Sequence, residues 1–346
     1  MPFRDTWKAA EVDMKERKAA QSEHSTIDAD TTSLPPSYIP CASTQEAQPA
    51  EIALYKDALE RHVRERKLQQ WYSDDKVLTD LAKNGPRITG TIMEIYKVPF
   101  IVALDFFMLI LYDLVLMLDD SSSMRTGGRI DEMKAIAGVY AVIGTVCDSD
   151  GVQVRAMNAD LGRIKDASGR QDLQDHATDE ESVNKLVNSI KSWEGQTPMG
   201  GSMYTKVIFP LVKHKIQTNR FSKPVLLHVL GDGEPFGEEE DLTRRNLQAL
   251  YDHLDEQKIS RGAFSVMFGL VVHEPAAVEF LHRLDDDKNI GAQIDVVEDS
   301  DTWLAKLKKK EEEKLKEKDK VTEWNSIHWI AKFMLGALMK KYDDAD

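Results

Sequence analysis

Oxygen-bearing side chains cluster in the segment Asp119 to Met124, directly after the apolar run Leu114 to Leu118. In the pattern Asp-x-Ser-x-Ser, the side chains of Asp119, Ser121 and Ser123 can turn toward one point, because short residues fold tightly around an ion. Carboxylate and hydroxyl oxygens are hard donors, which suit Mg²⁺, Ca²⁺ or Mn²⁺ better than Zn²⁺. The same residue types also cap helices and form turns. This segment alone therefore leaves a metal-free helix start as an alternative.

Two later loops carry residues that could complete such a site. Thr197 lies in a tight Thr-Pro-Met-Gly-Gly loop before the helical-looking segment Ser202 to Val212. Asp232 directly follows an apolar run, between glycines that let the backbone bend around it. Because the carboxyl ends of parallel strands meet at one edge of a sheet, we expect Asp232 to lie near Asp119.

These loops need a parallel sheet to position them. The segment Arg129 to Cys147 reads as an apolar helix after the first strand, which gives a β-α-β alternation. Further strands are indicated by continuous apolar runs, as expected for strands covered on both faces, and helices fit around them. The predicted strands are Leu114–Leu118, Val152–Met157, Pro224–Leu230, Phe264–Val272 and Ala292–Val297, with helices at Leu242–Gln257 and Ala276–Leu284. The pattern predicts a doubly wound α/β fold with a mostly parallel central sheet flanked by helices.

The apolar stretch Val98 to Leu118 is long enough to cross a membrane. Asp105 and Asp113 argue against a span, because each would cost roughly 2.5 to 3.5 kcal/mol near a bilayer centre. We instead predict a helix from Pro99 to about Tyr112, followed by the first strand.

Composition divides the chain into four parts. Residues 1–50 are polar and contain Pro35, Pro36 and Pro40, which predicts a disordered arm. We expect a helical prefix over 51–112, an α/β domain over 113–308, and a charged helix with an amphipathic C-terminal helix over 309–346. The C-terminal apolar face is expected to pack on the prefix helices, with a partner-binding groove as the alternative.

Global composition narrows the function classes. The net charge of −14 over 346 residues argues against general nucleic-acid binding, because phosphate contacts need a basic surface. Cys41 and Cys147 are the two cysteines, too few for a disulfide framework, which fits a reducing compartment. The first residues lack the apolar core of a secretory signal, so we expect a cytoplasmic protein without a membrane span.

Asp119, Ser121, Ser123, Thr197 and Asp232 occur in an order that resembles the von Willebrand factor A domain family. Members carry a metal-ion-dependent adhesion site built from Asp-x-Ser-x-Ser, then a Thr, then an Asp. The resemblance covers roughly residues 113–300, and the Tyr-Asp lead-in at 112–113 is similar to that of a group of intracellular fungal members.

This resemblance implies how the site would bind a cation. Ser121 and Ser123 would ligate Mg²⁺ (or Mn²⁺ or Ca²⁺) directly, Asp119 and Asp232 would hold bridging waters, and Thr197 would join when ligand binds. The open coordination position would accept an Asp or Glu of a partner protein. The expected function is thus a non-enzymatic, metal-dependent protein-interaction module.

The chain departs from the family pattern at two positions next to these residues. Ser122 stands where members commonly have Gly, which would be unfavourable if the turn needs a positive φ. Gly231 stands where members commonly have Thr, so a hydroxyl that could support the ligands is missing. Neither position is itself one of the five.

Two other functions remain open from the sequence. A Mg²⁺-dependent hydrolase would need a positioned base and a cationic phosphate clamp, whereas Arg125 and Arg129 are predicted to be solvated or helix-surface side chains. A structural scaffold with an inactive metal site is the other alternative. His228, within an apolar strand, and Cys147, in an apolar helix, are expected to be core residues.

Overall fold

The computed structural model describes residues 49–166, 169, 172–314 and 326–343. Its centre is a five-stranded sheet in which every neighbouring pair is parallel, in the order β2-β1-β3-β4-β5. The predicted fold class is therefore confirmed. The strands are β1 Asp113–Leu118, β2 Gln153–Ala156, β3 Val225–Gly231, β4 Phe264–Leu270 and β5 Ile294–Val297.

Helices cover both faces of this sheet. Leu114, Leu116 and Leu118 of β1 point to the first face, and Val115 and Met117 point to the second, as the two-residue period of a strand requires. The first face packs against four prefix helices and the helix after β1, namely α1 Pro49–Glu65, α2 Asp75–Ala82, α3 Gly85–Tyr96, α4 Phe100–Phe107 and α5 Arg129–Cys147.

Helix α6, Glu180–Asn188, also lies on the first face, where it packs against α5. The second face packs against three longer helical segments. Helix α7 begins as Met199–Met203, widens into a π-helical stretch Tyr204–Lys213 and ends as His214–Gln217. The other two are α8, Leu242–Glu256, and α9, Pro275–Asp285.

The long apolar stretch divides as predicted. Helix α4 passes through a 3₁₀ turn, Met108–Leu111, into β1. Asp105, on α4, is largely buried and forms hydrogen bonds with Lys341 and Tyr342 at 2.5 and 2.8 Å. Among the described residues, no helix is both long enough and apolar enough to span a bilayer.

The C-terminal segment belongs to the core on the first face of the sheet. Helix α10 is described over Ser300–Lys314, and the part of the predicted charged helix after residue 314 lies outside the described residues. Helix α11, Ser326–Leu335, packs on β4, β5, α5 and the prefix helix α4. Because its residues 329–335 are buried within the chain, they do not form the open groove considered as an alternative.

A buried ion pair fixes this helix on the sheet. Lys332 of α11 donates to the Asp295 carboxylate of β5 at 2.8 Å, and both side chains are inaccessible to solvent. Gly336 permits the approach, since a Cβ there would lie 1.7 Å from Asp295 Oδ2. The polar arm predicted over 1–50 lies outside the described residues, apart from its last two, which begin α1.

The connections after β1 and β3 leave the sheet in opposite directions. The chain after β1 enters α5 on the first face, whereas the chain after β3 enters α8 on the second face. β1 and β3 are neighbours, so a crevice opens between their carboxyl ends, where open α/β sheets bind ligands.

Candidate metal site

Four of the five predicted site residues form one hydrogen-bonded chain at this crevice. Asp119 follows β1, and its Oδ1 accepts the backbone N–H of Ser121 at 2.8 Å. The hydroxyl oxygens of Ser121 and Ser123 lie 2.9 Å apart, and Ser123 donates to Asp232 Oδ1 at 2.8 Å. The prediction that Asp232 lies near Asp119 is correct.

The Asp119 carboxylate lacks compensation for its charge. Asp119 is fully buried, and its Oδ2 has no hydrogen-bond partner in the described part of the chain. Loss of hydration on burial raises the pKa of Asp119 to about 6, and the carboxylates of Asp232 and Asp120 add to this effect. A cation beside Oδ2 would offset both the loss of hydration and the repulsion from the two neighbouring carboxylates.

The Thr197 loop reaches the same edge through backbone contacts. The N–H of Ser122 donates to Gly195 O at 3.1 Å. Thr197 and Phe236 then exchange two backbone hydrogen bonds of 3.1 and 3.0 Å, which tie the Thr197 loop to the loop that carries Asp232. All three predicted loops thus meet, although these bonds involve the main chain and not the Thr197 hydroxyl.

Asp120 has a supporting role that the sequence did not reveal. Its buried carboxylate accepts the backbone N–H groups of Asn158 and Ala159, both at 2.7 Å, and the Asn158 amide at 3.2 Å. The adjacent Asp119 and Asp120 therefore serve different purposes. Asp120 holds the loop after β2 against the Asp-x-Ser-x-Ser turn.

Arg129 was predicted to be a solvated or helix-surface side chain, but its guanidinium forms an ion pair within the site. Its Nη1 donates to Asp232 Oδ2 at 2.5 Å, and the side chain is 20% exposed. The reason is that Arg129 begins α5, whose first turn faces the loop after β3. One sequence signal was available, since a cation in the first turn of a helix opposes the helix dipole and favours a nearby acid.

Neither departure from the family pattern strains the turn. Ser122 is absent from the described non-glycine residues with positive φ, so it needs no glycine-like conformation. At position 231, an added Cβ would lie 2.8 Å from Asp119 Cβ and 2.9 Å from its Oδ2. Glycine there lets the buried carboxylate sit against β3, which a threonine could not do without displacing it.

The glycine amides of the Thr197 loop are also occupied. Glu238 accepts the N–H groups of Gly200 at 2.6 Å and Gly201 at 2.9 Å. These amides lie at the start of α7, where a helix would otherwise attract a phosphate. The glycine-rich loop is thus closed by a carboxylate of this chain.

The donor set fits a hard divalent cation. It combines two carboxylates, one with an unpartnered buried oxygen, and hydroxyls on the same edge of the sheet. Within residues 49–166, 172–314 and 326–343, no group of three or more His, Cys, Asp or Glu side chains is arranged to hold a metal ion, so any cation here depends on the serines.

Comparisons with known proteins do not add a relative. No protein-family model matches the chain, and a search of the curated proteins finds no match. The fold and the chemistry of this site are therefore the basis for the function proposed below.

Proposed function

We propose that this chain is a divalent-metal-dependent protein-binding module of the von Willebrand factor A type. The observation that carries the proposal is the fully buried Asp119 carboxylate, whose Oδ2 has no hydrogen-bond partner in the described residues. Hydrogen bonds through Ser121 and Ser123 connect this carboxylate to that of Asp232. In this proposal Ser121 and Ser123 ligate Mg²⁺, Mn²⁺ or Ca²⁺, and Asp119, Asp232 and Thr197 complete its surroundings.

An acidic group of a partner protein is the ligand that suits this site. Hydroxyl ligands are neutral, so the cation keeps part of its positive charge and attracts a further carboxylate. Phe236 supports a protein partner, because its side chain is 67% exposed while its backbone is held against Thr197. An aromatic residue in this position offers apolar contact next to the metal-bound acid.

The hydrolase alternative receives less support. A phosphate clamp would need free cationic or amide donors. The Arg129 guanidinium is bound to Asp232, and the amides of Gly200 and Gly201 are bound to Glu238. The neighbouring acidic side chains would repel a phosphate ester.

Metal binding is the first step to test. We expect Mg²⁺ or Mn²⁺ to raise the melting temperature of the wild type and of Ser122→Ala, whose exposed side chain is not a proposed ligand. Ser123→Ala, the matched change at a proposed ligand, should lose most of this response. Equal responses in the two serine variants would contradict the proposal.

Partner recognition is the second step. The immobilised protein should capture peptides that contain Asp or Glu in Mn²⁺ but not in EDTA, and should not capture the same peptides with Asn or Gln. Asp119→Ala should abolish capture. Capture that is unaffected by EDTA, or turnover of phosphate esters that needs Asp119, would refute a binding-only function.

A further inference from the structure

Asp232 is held by two donors of its own chain. Ser123 Oγ donates to its Oδ1 at 2.8 Å, and Arg129 Nη1 donates to its Oδ2 at 2.5 Å. Asp232 is 1% exposed, so this ion pair is largely shielded from water. A buried carboxylate needs such a partner, because removing it from water costs free energy unless a positive charge replaces the solvent.

The guanidinium therefore supplies the charge that a divalent cation would also supply. Asp120 and Asp232 lie close enough to Asp119 for their negative charges to raise its pKa. Arg129 offsets part of this negative charge on Asp232. A cation that approached the serines would meet a positive side chain already in contact with the second carboxylate, and the two would repel each other.

The Arg129 side chain also borders an acidic cavity next to its ion pair with Asp232. A cavity of about 210 Å³ is lined by Arg129 together with Asp131, Glu132, Asp299 and Asp301. Asp299 Oδ2 is buried without a hydrogen-bond partner in the described residues, while its Oδ1 accepts the N–H of Thr302 at the start of α10. Arg129 and Asp299 thus border the same cavity, and His273 Nδ1 lies 3.8 Å from Asp299 Oδ2.

We propose that Arg129 is a counter-ion that competes with the divalent metal and thereby sets the affinity of the site for metal. This proposal rests on the function proposed above. Without metal, Arg129 neutralises Asp232 and occupies the position beside this carboxylate that a cation would use. When a divalent cation binds, the guanidinium moves into the acidic cavity and pairs with Asp299. Asp232 and Arg129 therefore each keep a partner of opposite charge in both states, and the protein binds metal more weakly than the same donors would without Arg129.

Mn²⁺ titration by calorimetry tests this competition. Arg129→Gln should bind Mn²⁺ about tenfold more tightly than the wild type, because one positive charge next to the ion is removed. Arg129→Lys, which keeps the charge, should stay near the wild-type affinity. Arg125→Gln is the matched control, since it removes the same charge from an exposed arginine four residues earlier in the chain and should change affinity little.

Asp299→Asn tests the movement of Arg129 into the acidic cavity and should act in the opposite direction. Asparagine can still cap α10, but it offers no charge to the displaced guanidinium, so Mn²⁺ should bind several-fold more weakly. In Arg129→Gln the same Asp299 change should have no effect on affinity. If Arg129→Gln unfolds in EDTA, refolding by Mn²⁺ reports its affinity in the same titration.

The outcomes separate this inference from the proposed function. An affinity of Arg129→Gln equal to or weaker than that of a metal-binding wild type would overturn the inference alone, because Arg129 would then only position Asp232. Failure of both proteins to bind Mn²⁺ at millimolar concentration would overturn the proposed function itself.

Discussion

Replacing Asp119 with asparagine should stabilise the metal-free protein while it removes the metal response. In the wild type, burial raises the pKa of Asp119 from 3.8 to about 6, so the folded protein holds an unfavourable charge at pH 7. A shift of about two pKa units corresponds to roughly 3 kcal/mol of unfolding free energy. Asparagine keeps an oxygen that can accept the Ser121 N–H and carries no charge.

The sign of the pH dependence follows from the same shift. Because the folded-state pKa is raised, the penalty is absent below pH 3.8, grows between pH 3.8 and 6, and is complete above that range. In EDTA, Asp119→Asn should therefore exceed the wild type by about 3 kcal/mol at pH 7 and by about half of that at pH 5.

Urea denaturation in EDTA and in Mg²⁺ measures both effects. At a metal concentration about a hundredfold above Kd, the wild type should gain roughly 3 kcal/mol and match the variant, which should gain nothing. Ser122→Ala is the control and should follow the wild type in both buffers. An asparagine variant that is less stable than the wild type in EDTA, or that gains as much stability from Mg²⁺ as the wild type does, would contradict this prediction.

Two further predictions concern the core that supports the site. Burial lowers the pKa of His228 to about 3, so below pH 6.5 the unfolded chain binds a proton that the folded chain does not. The wild type should therefore lose about 2 kcal/mol of unfolding free energy between pH 7 and pH 5 that His228→Gln does not lose. Identical pH profiles of the two proteins in urea denaturation would contradict this. Lys332→Met should cost about 3 to 5 kcal/mol because Asp295 stays buried without the ammonium. Adding Asp295→Asn should recover most of that loss, and additive costs of the two changes would count against the pair.

Much of the fold was predictable because its signals are local. The helix predicted over Arg129–Cys147 has those bounds in the structure, and each predicted strand occurs within a few residues of its expected position. Parallel strands covered on both faces appear as continuous apolar runs, so they can be recognised without knowledge of their neighbours. The strand order β2-β1-β3-β4-β5, in contrast, was not predicted, because it depends on which strands pair in the folded sheet.

The candidate site was predictable only in part. That Asp119, Ser123 and Asp232 lie together follows from their positions at the ends of adjacent parallel strands. The Arg129–Asp232 pair did not follow, because it depends on the direction in which the first turn of α5 faces. The hydrogen bonds that Asp120 accepts from the loop after β2 could not be predicted either, because no local sequence pattern links these two segments.

Hydrophobic patterning and turn chemistry act over a few neighbouring residues, so the α/β architecture and the order of the loops at the carboxyl edge of the sheet can be predicted from the sequence. Tertiary structure alone decided which carboxylate lacks compensation and which carries a counter-ion. Asp119 and Asp232 are the same residue type at equivalent strand ends, yet one has an unpartnered oxygen and the other is paired with Arg129. That difference arises from desolvation and from contacts between distant residues, which exist only in the folded chain.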